Sequence, residues 1–270
     1  MHSNLETQEI SISGHAQDIT LRCYRPKFEK ATVPILVYCH GGGFVEGDLD
    51  EADHQASVLA EQVRAWVVSV DYSLAPAHPF PAAPEDVYLA LQWAVEHARQ
   101  FKADSHRIAV AGHDAGASIA TGVAAMARDR GVISLAAQAL IAPLLDPSMT
   151  RLTHGPAGSG PEADPLNRAR QYKAYLPGMA QCVHPYAAPL DSRRLAGLPP
   201  TLIVSAERDG AKSEGEQYAG RLIVAGVPTE ARRYPGVCHA ELPGNPAALN
   251  DVAGFLRRHL APRLGPASTR

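Results

Sequence analysis

Short apolar runs alternate with longer amphipathic segments along most of the chain. The apolar runs are rich in β-branched side chains, which is typical of buried strands. The amphipathic segments repeat their apolar positions every three to four residues, which indicates helices packed on one face. We predict strands at residues 9–13, 18–25, 34–39, 66–70, 107–111, 135–141, 201–205 and 229–234, and helices at 51–63, 84–99, 115–128, 213–225 and 246–260.

Strands that alternate with helices predict a mostly parallel sheet of about eight strands with helices on both faces. The exception is residues 147–190, which contain glycines, prolines, His154 and a short candidate helix at about 168–176. This stretch is too long for an ordinary connection. We interpret it as a lid-like insertion over the carboxyl ends of the strands, where open α/β sheets place their sites. Without a repeat or a second core, residues 1–270 are expected to form one domain.

Composition narrows the class of protein. A chain of 270 residues with 46% hydrophobic and 20% charged residues can bury the core of one α/β domain. Its net charge of −3 gives no electrostatic case for nucleic acid or an anionic membrane as a partner. No phosphate-binding loop, metal-ligand cluster or nucleotide fingerprint is visible, so we expect no cofactor.

The cysteines and the first residues of the chain indicate the cellular compartment in which we expect the protein. The four cysteines are far apart and form no CxxC pair, which argues against a zinc site and suits free thiols in a reducing cytoplasm. The first ten residues carry neither a basic segment nor an apolar stretch, and no run is long enough to cross a bilayer. We therefore expect a cytoplasmic protein.

Two glycine-rich loops follow predicted strands directly. Residues His40–Phe44 (HGGGF) come after strand 34–39, and three glycines allow backbone N–H groups to point at a ligand. Such groups stabilise an oxyanion. Strand 107–111 runs into Gly112–Gly116 (GHDAG) and then a helix, which is the layout of a nucleophile elbow. The centre of this elbow is Asp114, where the usual G-x-S-x-G pattern has serine. Ser118 lies one helical turn further on and is expected to be a packed helix residue.

These strings together resemble the hormone-sensitive-lipase-like family of α/β-hydrolases, which are mostly esterases. The matching strings, in family order, are His40–Phe44 (HGGGF), Asp71–Pro81 (DYSLAPAHPFP), Val110–Gly116 (VAGHDAG), Leu198–Asp209 (LPPTLIVSAERD) and Gly236–His239 (GVCH). The resemblance implies an α/β-hydrolase fold. The family usually carries an N-terminal cap segment, whereas here the first strand begins almost at once, so we expect a reduced cap.

The resemblance also implies roles for individual residues. Gly41, Gly42 and the backbone N–H of Ala115 would form the oxyanion hole. Asp209 would be the acid of the triad and His239 its general base, with Asp114 at the nucleophile position. Glu207 is the second candidate for the acid. For the remaining candidate bases, His40, His113 and His184, we expect packing or hydrogen-bonding roles.

Asp114 changes the chemistry expected of an esterase. In a serine enzyme the histidine removes the hydroxyl proton, but an aspartate is already ionised at neutral pH. Its attack on an ester would give an intermediate that expels the weakly basic carboxylate, so the reaction would mostly run backwards. Asp114 is therefore expected to suppress serine-type ester hydrolysis.

Three functions remain open from the sequence. The first is an esterase-type hydrolase of small carboxylic esters with reduced or redirected activity. The second is an Asp-nucleophile hydrolase that attacks an sp3 carbon, as epoxide hydrolases and haloalkane or fluoroacetate dehalogenases do. Those enzymes hold the leaving group with lid donors, for which Trp66 and Trp93 are badly placed and Tyr172, Tyr175 and Tyr186 are the available tyrosines. The third is a non-catalytic protein that binds a small apolar or acyl ligand.

The sequence says little about the substrate or the oligomeric state. Phe44, Leu74, Pro79 and Phe80 are candidates for an apolar acyl pocket, although core packing would explain them equally well. A homodimer through the edge strand at residues 229–234 is an open alternative.

Overall fold

The protein is built around one eight-stranded sheet. The computed structural model describes residues 4–151 and 164–262, so His154 and part of the predicted insertion lie outside the described residues. The strands are β1 Leu5–Ser13, β2 Asp18–Pro26, β3 Val33–Cys39, β4 Trp66–Asp71, β5 Ala103–His113, β6 Ala137–Ile141, β7 Thr201–Ala206 and β8 Thr229–Tyr234. The helices are α1 Asp53–Val63, α2 Ala82–His97, α3 Ala115–Arg130, α4 Pro165–Tyr175, α5 Met179–Cys182, α6 Lys212–Val224 and α7 Pro246–His259, with a 3₁₀ turn at Pro189–Asp191.

The strand order across the sheet is β1-β2-β4-β3-β5-β6-β7-β8. β1 pairs with β2 and β2 with β4 in antiparallel fashion, and the remaining neighbours are parallel. The predicted mostly parallel sheet with helices on both faces is confirmed. β8 lies at one edge of the sheet, and a dimer through it stays a prediction.

Each face of the sheet has its own apolar core because successive strand residues point to opposite sides. In β3, Ile35, Val37 and Cys39 face the core covered by α2, α3 and α6, while Leu36 and Tyr38 face the core under α1 and α7. All seven residues of β3 are buried. This explains why its sequence is a continuous apolar run rather than an alternating one.

The carboxyl ends of the parallel strands meet at one edge of the sheet, and there the start of α3 lies against the end of β3. A Cβ atom at Gly116 would overlap the backbone carbonyls of Cys39 and His40. Glycine at this position therefore permits the close approach that brings the loop after β3 beside the loop after β5. No helix in the described parts of the chain is long and apolar enough to span a membrane.

Some elements differ in extent from their predictions. β1 begins at Leu5 rather than residue 9, and β5 begins at Ala103 rather than 107. β1 is an edge strand whose residues are mostly exposed, so no hydrophobic alternation marks its first half. The short helix predicted at 168–176 is α4, which starts at Pro165 behind an N-cap from Asp164.

Candidate active site

Asp114 occupies the sharp turn between β5 and α3. Its backbone has φ 52° and ψ −122°, a conformation that L-residues rarely adopt. Such strain costs on the order of 1–3 kcal/mol and persists where the surrounding structure enforces it. The turn is held by the Asp114 amide, which donates to the Ile141 carbonyl of β6 at 2.9 Å. The side chain therefore projects from the end of the central strand towards the neighbouring loops.

Two further predicted residues converge on Asp114 from the loops after β7 and β8. Nδ1 of His239 lies 2.6 Å from Oδ2 of Asp209, and Nε2 of His239 lies 3.0 Å from Oδ1 of Asp114. The side chains of His239 and Asp209 are 3% and 2% exposed, and that of Asp114 is 13% exposed. The structure thus joins the three residues in one buried chain of hydrogen bonds.

The second carboxylate oxygen of Asp114 binds the loop after β3. Oδ2 accepts hydrogen bonds from the backbone N–H groups of Gly42 at 3.1 Å and Gly43 at 2.8 Å. The N–H of Gly41 instead donates to Nε2 of His113 at 3.0 Å. The amide of Gly41 is therefore engaged by His113, while the amides of Gly42 and Gly43 point at the Asp114 carboxylate. The oxyanion-hole role expected of Gly41, Gly42 and Ala115 stays a prediction.

His113 fixes the position of the glycine loop. Its Nε2 accepts from Gly41, so Nδ1 carries the proton and donates to the hydroxyl of Tyr38 at 3.0 Å. Burial lowers the pKa of His113 to about 4, although the nearby charge of Asp114 opposes this shift. The imidazole is therefore neutral at physiological pH and orients the loop without taking part in proton transfer.

The charges of the site stabilise an imidazolium flanked by two carboxylates. Burial lowers the pKa of His239, but the charge of Asp209 and the hydrogen bonds to both carboxylates outweigh it and raise the pKa to about 10. Burial raises the pKa of Asp114, but the hydrogen bond and charge of His239, the charge of Arg168 and the amide of Ala115 bring it well below its usual range. For Asp209, too, burial is outweighed by His239, and the pKa is lowered. At neutral pH His239 therefore carries a proton on both nitrogens.

The other residues considered as candidates have different surroundings. The exposed Glu207 accepts from the amide of Gly236 at 2.8 Å and so braces the loop that leads to His239. Ser118 is buried within α3, one turn beyond Asp114.

The two histidines pack against aromatic rings. His40 stacks on Tyr72 with ring centroids 4.1 Å apart, and the ring centroids of His184 and Phe80 are 5.0 Å apart. None of the four candidate side chains contacts Asp114 among the described interactions.

Helix α4, which belongs to the described part of the predicted insertion, packs over the glycine loop. A Cβ atom at Gly43 would collide with the side-chain amide of Gln171. The ring of Tyr175 stacks on Phe44 with centroids 4.1 Å apart, and Tyr172 lies 5.6 Å from the same ring. Arg168, on the same face of α4, is 4% exposed. The helix thus directs a cationic, an amide and two phenolic side chains towards the site.

The tryptophans lie far from this edge of the sheet. Trp66 is the first residue of β4 and stacks on Phe101 with centroids 4.2 Å apart, and Trp93 packs against both rings. Both therefore sit in the core at the opposite ends of the strands. Within the described residues, no cluster of three or more His, Cys, Asp or Glu side chains could hold a metal ion.

The sequence indicates no role for Arg168 or Glu214, and it marks Tyr172 only as an available lid donor. Burial raises the pKa of Glu214 to about 7, and its Oε2 accepts from the amides of Leu145 and Asp146 at 2.7 and 2.9 Å. The position of Glu214 five residues after Asp209 was the available signal, because the helix that follows β7 must begin beside the site.

Comparison with known proteins agrees with this geometry. A family model described as the alpha/beta hydrolase fold matches residues 36–242. The chain is 39% identical over 245 residues to the esterase LipI of Mycobacterium tuberculosis, covering 88% of this chain and 76% of LipI. It is 30% identical over 249 residues to an arylesterase of Saccharolobus solfataricus, covering 92% and 80%.

Solved structures show the same similarity. A hyperthermophilic esterase from Pyrobaculum calidifontis superposes with a TM-score of 0.87 at 37% identity, covering 94% of this chain and 85% of that one. The thermophilic carboxylesterase EstE1, cloned from a metagenomic library, gives a TM-score of 0.88 at 34% identity, covering 95% and 90%. The chain belongs to the α/β-hydrolase fold family, in which these esterases are its relatives.

Proposed function

We propose that the protein is an esterase-type hydrolase of small carboxylic esters in which Asp114 holds ester turnover far below the level that serine would support. The observation that carries the proposal is the position of the Asp114 carboxylate. One oxygen lies 3.0 Å from Nε2 of His239, and the other accepts from the amides of Gly42 and Gly43. The names of the relatives support the ester substrate class.

Asp114 suppresses ester hydrolysis in two ways. Its Oδ1 stands where a nucleophilic hydroxyl would meet the histidine, and its Oδ2 stands where the carbonyl oxygen of the substrate would bind. An ester can reach the hole only by displacing charge-assisted hydrogen bonds, which are about twice as strong as neutral ones. A carboxylate is also the better leaving group of the tetrahedral intermediate that it would form.

The protonation of His239 adds a third obstacle. A general base works best with a pKa near the operating pH, whereas the pKa of His239 is raised to about 10 by its two carboxylates. Replacing Asp114 by a neutral hydroxyl removes one of these carboxylates, so the pKa of His239 falls towards the range of a base. Serine at position 114 would therefore restore the nucleophile, the base and the oxyanion hole together.

The first prediction follows directly. Asp114→Ser should raise the initial rate on a chromogenic acetate or butyrate ester by about 10²- to 10⁴-fold, the usual contribution of general-base activation. Serine is smaller than aspartate, so the elbow needs no backbone change. The measurement is the initial rate of aryl ester hydrolysis by the parent and by the variant.

Two controls make this test decisive. Asp114→Ser/His239→Ala should fall back to the parent level, and Asp114→Asn should stay there because an amide supplies no nucleophile. A folded Asp114→Ser protein without any gain would contradict the proposal and favour the ligand-binding alternative. Strong turnover by the parent that survives Asp114→Ala would show that Asp114 does not control hydrolysis.

A second candidate function is supported by one feature of the same geometry. If Asp114 attacks an sp3 carbon, its Oδ1 forms the new C–O bond while the bond from that carbon to the leaving group breaks. The Oδ2 atom then becomes the carbonyl oxygen of an alkyl-enzyme ester and is already held by Gly42 and Gly43. Loss of the Asp114 charge lowers the pKa of His239, so the imidazole can activate water against this ester.

The second prediction separates this reaction from ester hydrolysis. A single turnover of an epoxide or alkyl halide in heavy-oxygen water should place the label in the Asp114 carboxylate, because water attacks the side-chain carbonyl carbon. Peptide mass spectrometry of the segment that contains Asp114 measures the label. Product formed without label in that peptide excludes the Asp-nucleophile mechanism. Label that appears at an equal rate in the His239→Ala variant excludes His239 as the group that activates water.

A further inference from the structure

Two buried polar atoms beside Asp114 have no hydrogen-bond partner within residues 4–151 and 164–262. They are the hydroxyl oxygen of Tyr172 and Oε1 of Glu214. The exposed fraction of these residues is 4% and 0%. Leaving a buried polar group unsatisfied is costly, and such groups in proteins are nearly always paired with protein, water or ligand. A polar group bound between them would remove this cost.

Glu214 is fixed close to the nucleophile position by its other oxygen. Its Oε2 accepts from the amides of Leu145 and Asp146 at 2.7 and 2.9 Å, and the preceding amide, Leu144 N–H, donates to the carbonyl of Asp114 at 3.4 Å. The carboxyl group is therefore held by the loop that braces the elbow. Oε1 remains as an acceptor that none of these contacts uses.

Tyr172 approaches the same place from α4. Its ring lies 5.6 Å from that of Phe44, which directly follows the Gly43 whose amide binds Asp114. The pKa of the Tyr172 hydroxyl lies well above its usual value, because burial raises it and the charge of Glu214 adds to the effect, with a further contribution from Asp114. The hydroxyl therefore keeps its proton and lies within the field of both carboxyl groups.

Tyr172 and Glu214 together fit one kind of ligand group. Tyr172 offers a donor and Glu214 offers an acceptor, and a hydroxyl group both accepts and donates. A carboxylate offers no donor to Oε1 of Glu214, and an ammonium offers no acceptor to the proton of Tyr172. The charge of Arg168 acts on both residues as well. We propose that Tyr172 and Glu214 form a specificity subsite that binds a hydroxyl group on the substrate, close to its reacting carbonyl. This inference rests on the proposed function, since it names the substrate class of the same site.

The third prediction is a substrate preference that depends on Tyr172. In the Asp114→Ser protein, 4-nitrophenyl butyrate is compared with its 2-, 3- and 4-hydroxy derivatives. One hydroxylated ester should have a kcat/KM about fivefold higher than butyrate, mainly through KM, because a net hydrogen bond of about 1 kcal/mol corresponds to roughly that factor. Adding Tyr172→Phe should abolish the preference, so that kcat/KM for the hydroxylated ester falls about fivefold more than kcat/KM for butyrate.

A matched control lies one turn along the same helix. Tyr175→Phe removes a hydroxyl whose pKa is raised by burial alone, without a charged neighbour among its causes, so the preference should persist in that variant. Glu214→Gln keeps a polar atom at the subsite and should weaken the preference without abolishing it. Equal kcat/KM for all four esters, or a preference that survives Tyr172→Phe, would overturn the subsite and leave water as its occupant.

A binding measurement distinguishes failure of the subsite from failure of the proposed function. Asp114→Ala opens the oxyanion hole without requiring turnover, and its affinities for 2-butanone and 4-hydroxy-2-butanone can be compared by NMR titration. Tighter binding of the hydroxyketone, lost in Tyr172→Phe, supports the subsite even if Asp114→Ser hydrolyses no ester. Ester hydrolysis by Asp114→Ser, together with equal binding of the two ketones and no hydroxyl preference, rejects the subsite and leaves the proposed function standing.

Discussion

The Asp114 carboxylate imitates the charge pattern of an acyl-transfer intermediate. Under the proposed function, one oxygen stands where a nucleophile would lie beside His239, and the other stands where an oxyanion would lie between Gly42 and Gly43. An esterase site stabilises negative charge at those two points as the transition state forms. The pKa of Asp114 is low despite burial because of the hydrogen bond and charge of His239, the charge of Arg168 and the amide of Ala115.

At the residue scale the sequence predicts chemistry better than it predicts hydrogen-bond partners. The strings around Asp114, Asp209 and His239 place all three after strand ends, and the structure brings them within hydrogen-bond distance. The glycine loop shows the limit of this reasoning. Which glycine amides point at Asp114 depends on His113, because Nε2 of its ring accepts a hydrogen bond from the amide of Gly41. A contact between two loops that are 72 residues apart leaves no pattern in either loop.

At the scale of elements, the approach of α3 to β3 decides whether the site assembles. Gly116 lies so close to the Cys39 and His40 carbonyls that a Cβ atom has no room. Since both obstacles are backbone atoms, the loop or the helix must move to admit a methyl group. The glycine loop and the elbow would then separate, and the carboxylate of Asp114 would lose its amide partners.

The fourth prediction compares two helical glycines. Gly116→Ala should destabilise the protein by about 1–3 kcal/mol, the range for overpacking a close contact. Gly220→Ala in α6, where a Cβ atom meets nothing within 4 Å, should stabilise it by about 0.5–1 kcal/mol because alanine favours the helix. Urea unfolding of both variants measures the difference. Equal effects would contradict the close packing of α3 on the end of β3.

The central strands were predicted well because their burial creates a pattern. The central strands are apolar on both faces because helices cover both, and the sequence shows this directly. β1 is mostly exposed, and its full length is set by pairing with β2 from Leu5 to Ser13. The contacts of α4 with Gly43 and Phe44 were equally invisible, because the polar residues that it turns inwards look like solvent-facing positions.

At the scale of the whole molecule, the chain Asp114–His239–Asp209 links the loops after β5, β7 and β8. Its contribution to folding depends on pH, because the pKa values of these groups differ between the folded and unfolded states. His239 has its pKa raised from 6.5 to about 10, so its stabilisation is complete below about pH 6.5 and is lost as pH rises towards 10. The two aspartates have lowered pKa values, so their stabilisation is present above about pH 4 and is lost only in stronger acid.

The fifth prediction uses this pH dependence. Between pH 6 and pH 9.5 the parent should lose on the order of 2–4 kcal/mol more unfolding free energy than Asp114→Asn, because each unit of pKa shift is worth about 1.4 kcal/mol. Asparagine keeps the size of the side chain but removes one of the two charges that hold the proton on His239. Urea unfolding at several pH values measures the free energy of unfolding of both proteins. The contributions of surface groups are the same in both proteins and cancel in the difference. Parallel pH profiles for the two proteins would mean that His239 is neutral in the folded parent, and its protonation would then be no obstacle to ester hydrolysis.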